Sequence, residues 1–386
     1  MAREDKPYRV YRGGRASGGV PTLPGIPKPQ RRKKPTREPK TPRRYAGPGP
    51  AKRPRRWGPG RIIFLVVLAL ILLLVGWTVA GYLSVRSGME KANARLGEGA
   101  KAQLAPDDGW MLSSPSVTLV VGVEHSRNAA RRTNLADSIM LMRTDPELHR
   151  VTYLSIPRDL EVDVPGYGHE KINTTTAFAN GSPQLTIRTI RESLGIEVNH
   201  VIKLDFPSFR GVIDALGGIE IDVPKPAVTK IECPYASPAR CDRWGGWRYG
   251  RGRQHMNGRR ALIYSRIRTN LLDPRETDLN RVARQQQVLQ ATLDKMVSFR
   301  TYLKLPFIGD ELVSPLATDL TTNELFQLSW VRYRAGHGRT IYCRLGITGD
   351  GDYNATVLLM FAGRSAIQRP SAVTGGAGCV RGSPLT

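Results

Sequence analysis

Three kinds of hydrophobic pattern follow one another along the chain. Over residues 1–61 apolar positions are sparse and without period, so no element is expected there. Residues 62–83, IIFLVVLALILLLVGWTVAGYL, are 22 positions without a charge. At about 1.5 Å rise per residue this run crosses a hydrocarbon core of about 30 Å. Only a helix satisfies its own backbone there. The run lacks the polar face of a helix on a soluble core and is longer than the apolar part of a cleaved signal. From Val117 onward short apolar runs alternate with amphipathic ones.

Val117–Val123, Ser138–Arg143 and Val151–Ile156 read as strands with apolar residues on both faces, as in a sheet covered on both sides. Pro183–Leu194 reads as a helix ended by Gly195, and His200–Phe206 as a strand. Pro207–Leu216 reads as a helix closed by Gly217 and Gly218, and Ile219–Val223 as a further strand. Residues 225–253 look like an irregular insertion. Asn257 is placed to cap a helix through Ala261–Arg268. Asp278 opens a long helix on which Val282, Leu289, Leu293 and Met296 form one stripe, with Arg281, Arg284 and Gln285 on the face beside it. The alternation predicts an α/β fold: a layered, mixed central sheet covered by helices on both faces, preceded by one transmembrane helix. The expected divisions are a disordered tail (1–61), the membrane helix (62–83), a stalk (84–115), the main domain (116–300) and its C-terminal extension (301–386). In the stalk Met89–Leu104 is Ala-rich and suits a helix, and in the extension Thr318–Leu325 resembles a capped helix start.

Charge orients this arrangement. Of the chain's net +25, residues 1–61 hold +16, from 19 Lys and Arg against 3 Asp and Glu. Arg53, Arg55, Arg56 and Arg61 adjoin the apolar run, which places the N-terminus in the cytoplasm and the domain outside. Trp57, Trp77 and Tyr82 suit the two membrane interfaces. A basic tail raises the question of nucleic acid. No aromatic platform or reading helix accompanies it, so none is expected, and anionic membrane lipids are the expected partner. Four Cys in an extracytoplasmic domain suggest disulfides. Cys233 with Cys241 would close a short loop, which leaves Cys343 with Cys379.

The candidate chemistry is anionic. Arg158 and Asp159 follow a strand directly, where α/β folds place ligands. Arg266 and Arg268 are followed by Arg281 and Arg284, and Glu124 and Asp137 lie at the end and start of neighbouring strands. Arg forks match phosphate oxygens, and a carboxylate pair can hold Mg²⁺ or Mn²⁺ against a diphosphate. Arg158, Arg266, Arg268, Arg281 and Arg284 are expected to converge on one site. Residue types alone establish no more than a membrane-anchored α/β domain suited to phosphate.

The stretches LVVGVE (119–124), ADSIMLM (136–142), VTYLSIPRDLEVDVPGYGHEKIN (151–173), FRGVIDALGGIEIDVP (209–224), GRQHMNGRRALIYSRIR (252–268) and DLNRVARQQ (278–286) occur in one order. In that order and spacing the chain resembles the LytR–CpsA–Psr family of cell-envelope proteins. The resemblance implies a phosphotransferase that moves a glycopolymer from a polyprenyl-pyrophosphate carrier to peptidoglycan. It implies catalytic roles for Arg158, Asp159, Arg266, Arg268 and Arg281, and substrate binding by Lys171, Asn173, Asp278, Arg284 and Gln285. Glu124 and Asp137 would bind the divalent ion. Two positions depart from the family pattern. Glu124 stands where Asp is usual, and Asn134, Leu135 and Ala136 precede Asp137 where the family often has Arg. Arg131 or Arg132 is the candidate replacement. A polyprenyl-pyrophosphate hydrolase and a non-catalytic membrane-anchored regulator remain as alternatives. The pyrophosphate link carries the energy, so no ATP is needed, in keeping with the lack of a P-loop motif.

Overall fold

The structure, a computed structural model, describes residues 58–124, 134–276, 278–336, 338–345 and 379–381. The chain opens with α1 (Pro59–Arg95) and α2 (Glu98–Lys101). An antiparallel meander follows: β1 (Ser116–Glu124), β2 (Leu135–Asp145) and β3 (Arg150–Ile156). Next come a hairpin, β4 (Glu161–Val164) and β5 (Gly168–Lys171), and the helices α3 (Thr175–Phe178) and α4 (Gln184–Leu194). Then follow β6 (His200–Asp205), α5 (Phe206–Ala215), β7 (Ile219–Val223), β8 (Ala227–Thr229), α6 (Pro238–Arg243), β9 (Trp247–Tyr249), β10 (Gly252–Met256) and α7 (Gly258–Arg266). The last part is α8 (Asp278–Met296), α9 (Phe299–Val313), β11 (Ala317–Thr318), α10 (Thr322–Ala335), β12 (Thr340–Arg344) and β13 (Cys379–Arg381).

Among the described residues seven strands form the central sheet, in the order β11-β6-β1-β2-β3-β12-β13. It is mixed: β6 lies parallel to β1 and β12 parallel to β3, while the other neighbours are antiparallel. Side chains alternate across it. Leu119, Val121, Ile139 and Leu141 pack with Ile187, Ile190 and Leu194 of α4 on one face. Met140, Met142 and Tyr153 pack with Leu328 and Val331 of α10 on the other, where Leu289 and Leu293 of α8 join them. Apolar residues on both faces of each strand therefore do mark a sheet covered on both sides.

Local signals end and start the helices. Gly195 closes α4 in the left-handed region (φ 68°), which glycine adopts without strain. Asp205 accepts from Ser208 N at the start of α5, Asn257 accepts from Arg260 N at the start of α7, and Thr321 and Glu324 form a reciprocal capping box on α10.

The expected divisions change at two places. The stalk expected over 84–115 is in part the continuation of α1, which runs unbroken to Arg95. Its second half buries Val85, Met89 and Ala92 against Val212, Leu312 and Val313. Ile219–Val223 is a strand as expected; among the described residues β7 pairs with β10 alone, outside the central sheet. The described residues beyond 300 belong to the same sheet as the main domain, since β11 and β12 extend it on either side. Cys233 is bonded to Cys241 within the insertion, and Cys343 to Cys379 across β12 and β13.

Candidate active site

The site lies at the ends of β1 and β2, where β2 carries a bulge. Gly122 pairs with Ser138 but Val123 pairs with Ala136, so Asp137 is the extra residue. The bulge changes which way β2 faces. Ala136 joins the α4-side core, while Asp137 and Ser138, consecutive in sequence, both line a cavity on the opposite face. Glu124, the last residue of β1, lines the same cavity. The two carboxylates are close enough to affect one another. Burial raises Glu124 above the usual carboxylate range, and the charge of Asp137 adds to the rise against the pull of Arg266.

Basic groups converge on this pair. Arg158, in the turn after β3, donates from Nη1 to Asp137 Oδ1 at 2.9 Å and from Nε to Asp159 Oδ2 at 3.1 Å. Lys171 Nζ reaches Asp159 Oδ1 at 3.4 Å. Burial alone would raise Asp159, but Arg158 and Lys171 hold it below its ordinary value. Asn173 is buried, and its backbone N–H donates to Arg158 O at 3.1 Å, which fixes the turn. Arg266, the last residue of α7, donates from Nη2 to Glu124 Oε1 at 3.0 Å and pairs with Glu232 through Nη1. Its guanidinium stands 4.2 Å above the Phe206 ring. Arg268 Nη2 lies 4.0 Å from Asp137 Oδ1. Arg281 and Gln285 of α8 line the same cavity.

Arg284 is the correction. It is 7% exposed and turned away from the cavity, donating to Ile267 O at 3.2 Å and to the Glu276 carboxylate, with its guanidinium 5.8 Å from the Tyr264 ring. It holds the loop before α8 rather than joining the other arginines. Asp278 opens α8, but its side chain lies outside the described residues, as do Arg131 and Arg132. The pattern of the sequence did not single out Ser138, Phe206 or Glu232. Their roles depend on the bulge, on the start of α5 and on the disulfide loop, and no local signature shows that these three meet at one site.

The cavity, about 660 Å³, continues from the charged residues along α8. Arg281 and Gln285 line one end, then Val288, Leu289, Thr292, Leu293, Met296 and Val297. From Arg281 to Val297 the 17 residues of helix and turn span about 24 Å at 1.5 Å per residue. Val120, Met140 and Ile202 from the sheet and Leu325 and Leu328 from α10 complete an apolar wall. Deep in the cavity Arg332 donates to Asp294 at 2.5 Å. The arrangement suits an amphiphile with an anionic head and a long apolar tail.

For a divalent ion, Glu124 and Asp137 supply hard oxygen donors of the right chemistry. Among the described residues no group of three His, Cys, Asp or Glu is assembled for a metal. Two carboxylates, both already paired with arginines, are what the described residues offer such an ion here.

The chain has relatives of known kind. It is 35% identical over 211 residues to the regulatory protein MsrR of Staphylococcus aureus, a match covering 54% of this chain and 58% of MsrR, so it spans little more than half of that relative. It is 27% identical over 294 residues to the polyisoprenyl-teichoic acid–peptidoglycan teichoic acid transferase TagV of Bacillus subtilis, covering 76% of this chain and 71% of TagV. The crystal structure of B. subtilis TagV shares the fold at a TM-score of 0.50 and 24% identity, covering 64% of this chain and 97% of that one. The LytR_cpsA_psr family profile matches residues 79–359, from the second half of α1 past β12. On that match, which takes in β2 with its bulge and every one of the converging arginines, the chain belongs to the LytR_cpsA_psr family.

Proposed function

We propose that the chain is a membrane-anchored phosphotransferase that moves a glycopolymer from a polyprenyl-pyrophosphate carrier onto peptidoglycan. The observation that carries this reading is the union of an arginine-lined mouth with an apolar cavity running along α8. A diphosphate meets the mouth and a polyprenyl chain fills the cavity. The name of TagV supports the same class of substrate and acceptor.

In the free protein the arginines are neutralised by carboxylates: Arg158 by Asp137 and Asp159, Arg266 by Glu124 and Glu232. Binding is then an exchange. Diphosphate oxygens replace Asp137 and Glu124 as partners of Arg158 and Arg266, with Arg268 and Arg281 adding further donors. Glu124 and Asp137 are the residues that would hold Mg²⁺ or Mn²⁺, which would supply positive charge to the site. The acceptor hydroxyl oxygen bonds to the phosphorus bearing the polymer. The bond from that phosphorus to the bridging oxygen breaks, and polyprenyl phosphate leaves with that oxygen and with the proton the hydroxyl gives up. The arginines stabilise charge that builds on the phosphoryl oxygens.

The anchor in this reading is α1. Its run from Ile62 to Val75 is exposed almost throughout, which water does not tolerate and lipid does. The charge asymmetry puts the domain outside, with residues 1–61 against anionic inner-leaflet lipids. Both disulfides suit an oxidising compartment.

The test is transfer of a radiolabelled polyprenyl-pyrophosphate-linked glycopolymer to peptidoglycan by the purified full chain. Wall-linked label is the expected product. Free polymer alone would make the protein a hydrolase, and neither product would favour the regulator suggested by the name of MsrR.

A further inference from the structure

α1 and α9 lie side by side and point the same way. Thr78 Oγ1 meets Tyr302 OH at 2.8 Å, Gly81 faces Leu305, and Asp310 N donates to Ser84 Oγ at 3.1 Å. Lys91 Nζ pairs with Asp310 Oδ1 at 2.7 Å. Glycines let the two helices approach closely. A Cβ on Gly88 would stand 2.5 Å from Val313 Cγ2, and one on Gly309 would stand 2.9 Å from Ser84 Oγ.

The register has a consequence for depth. Because Thr78, Gly81 and Ser84 stand beside Tyr302, Leu305 and Asp310, the stretch Phe299–Phe307 is level with about residues 75–83. Those are the last two turns of the uncharged run that ends at Leu83. At this level α9 exposes Phe299, Leu303 and Phe307, at 71%, 46% and 73%, and the Phe307 ring meets Trp77 of α1 edge-on at 5.7 Å. They recur every four residues and so form one stripe. Arg300 and Lys304, both exposed, flank the stripe with side chains long enough to reach headgroups. The apolar end of the cavity adjoins this place, since Met296 and Val297 line it and Phe299 follows two residues later.

We propose that the first two turns of α9 are embedded in the outer leaflet beside α1, and that the α8–α9 corner is where a polyisoprenoid tail passes laterally between bilayer and cavity. The occupant of the exposed stripe is lipid acyl chain, because the stripe continues the lipid-facing surface of α1 at the same depth. The proposal rests on the anchoring and the lipid-linked substrate of the preceding reading. It explains how a tail fixed in the membrane reaches a cavity in the domain without leaving an apolar environment.

The test uses the full chain in lipid nanodiscs. All four native cysteines are paired, so single cysteines introduced as Leu303→Cys, Phe307→Cys and Glu311→Cys accept a nitroxide selectively. Oxygen should be the stronger relaxing agent at 303 and 307, and a water-soluble nickel chelate the stronger at 311. Dominance of the chelate at all three sites would overturn the embedding. So would dipolar broadening at 303, which would mean that a second copy covers the stripe. For the tail route, Phe299→Ser, Leu303→Ser and Phe307→Ser are combined. Transfer from a vesicle-borne long-chain donor should fall at least about tenfold while transfer from a detergent-dispersed donor is unchanged. Equal transfer from both donors overturns the route. If the wild-type chain transfers from neither donor, the transferase reading fails, while the relaxation result still decides the embedding.

Discussion

Arg158 Nη1 and Asp137 Oδ1 are 2.9 Å apart, so the basic group that follows β3 and the acidic group on the bulge of β2 hold one another. Each is the natural partner of something else, an anion for Arg158 and a cation for Asp137. Their pairing answers the question of how several guanidiniums share one mouth without mutual repulsion: interleaved carboxylates screen them.

Arg158→Ala is therefore expected to lower transfer by about a hundred- to a thousand-fold, the usual cost of one charged donor at a developing oxyanion. The fold should persist with a loss of about 1 kcal/mol, because Asp137 keeps Arg268 nearby. Arg158→Lys keeps the charge but not the fork, so most of the activity loss should remain. Steady-state transfer rates alongside urea unfolding separate the two effects. Near-normal transfer in folded Arg158→Ala would sink the proposed role.

Arg284→Ala should behave in the opposite way. Arg284 and Glu276 are both almost fully buried, and Glu276 also accepts from Asn270 Nδ2 at 2.9 Å. Removing the guanidinium strands a buried carboxylate, at a cost of about 3–5 kcal/mol. Glu276→Gln in the same chain should restore part of this stability. Unfolding midpoints of the single and double variants decide the matter, and an unchanged midpoint for Arg284→Ala would show that the pair is not structural.

The contrast between these arginines shows what the sequence made legible. Helical periodicity put Val282, Leu289, Leu293 and Met296 on one stripe of α8, where Val282 is buried and the other three line the cavity. It put Arg281, Arg284 and Gln285 on one edge because they are near neighbours on the wheel. But α8 is covered on two sides, by the central sheet and α10 and by α7 and β7. A rotation of about 60° between positions three apart is then enough to move Arg284 from the cavity to the α7 side. The continuation of α1 to Arg95 was hidden for a related reason. Its second half becomes polar in pattern, and elements far along the chain, chiefly α9 together with α5, supply the surface it packs on.

His200 provides a pH-dependent contribution to stability. Burial pulls its ionisation down, but Asp319, 2.7 Å from Nδ1, and Asp107, 3.0 Å from Nε2, more than offset this, with Glu324 adding to them. The net shift is upward. The folded state thus binds the proton more tightly than the unfolded chain. The stabilisation is complete below about pH 6.5 and is lost as pH rises through the higher folded value. Asp107, held high chiefly by burial, adds a loss of the same sign, but in the acid range where carboxylates titrate. Urea midpoints measured from about pH 6 to 9 should fall in the wild type and stay flatter in His200→Gln. Equal slopes would remove His200 from the account.

The bulge in β2 yields the most discriminating prediction. Simple strand alternation makes residues 136 and 138 face one way and residue 137 the other. The bulge overrides this: Asp137 and Ser138 share the cavity, and Ala136, fully buried, belongs to the core under α4. Exchanging neighbours therefore gives different results in the two directions. Asp137→Ser with Ser138→Asp keeps a carboxylate in the cavity, displaced along the strand. It should keep the fold and part of the Mn²⁺ affinity, while transfer drops because Arg158 loses its partner position. Ala136→Asp with Asp137→Ala instead drives a charge among Leu119, Val121 and Ile139. It should cost about 3–5 kcal/mol, as an unpaired buried charge does. Thermal unfolding and manganese titration of the two double variants are sufficient. If both unfold alike, or if the 136 variant is the one that retains manganese, then the carboxylate pair is not built by the bulge, and the pairing of Glu124 with Asp137 must be explained in another way.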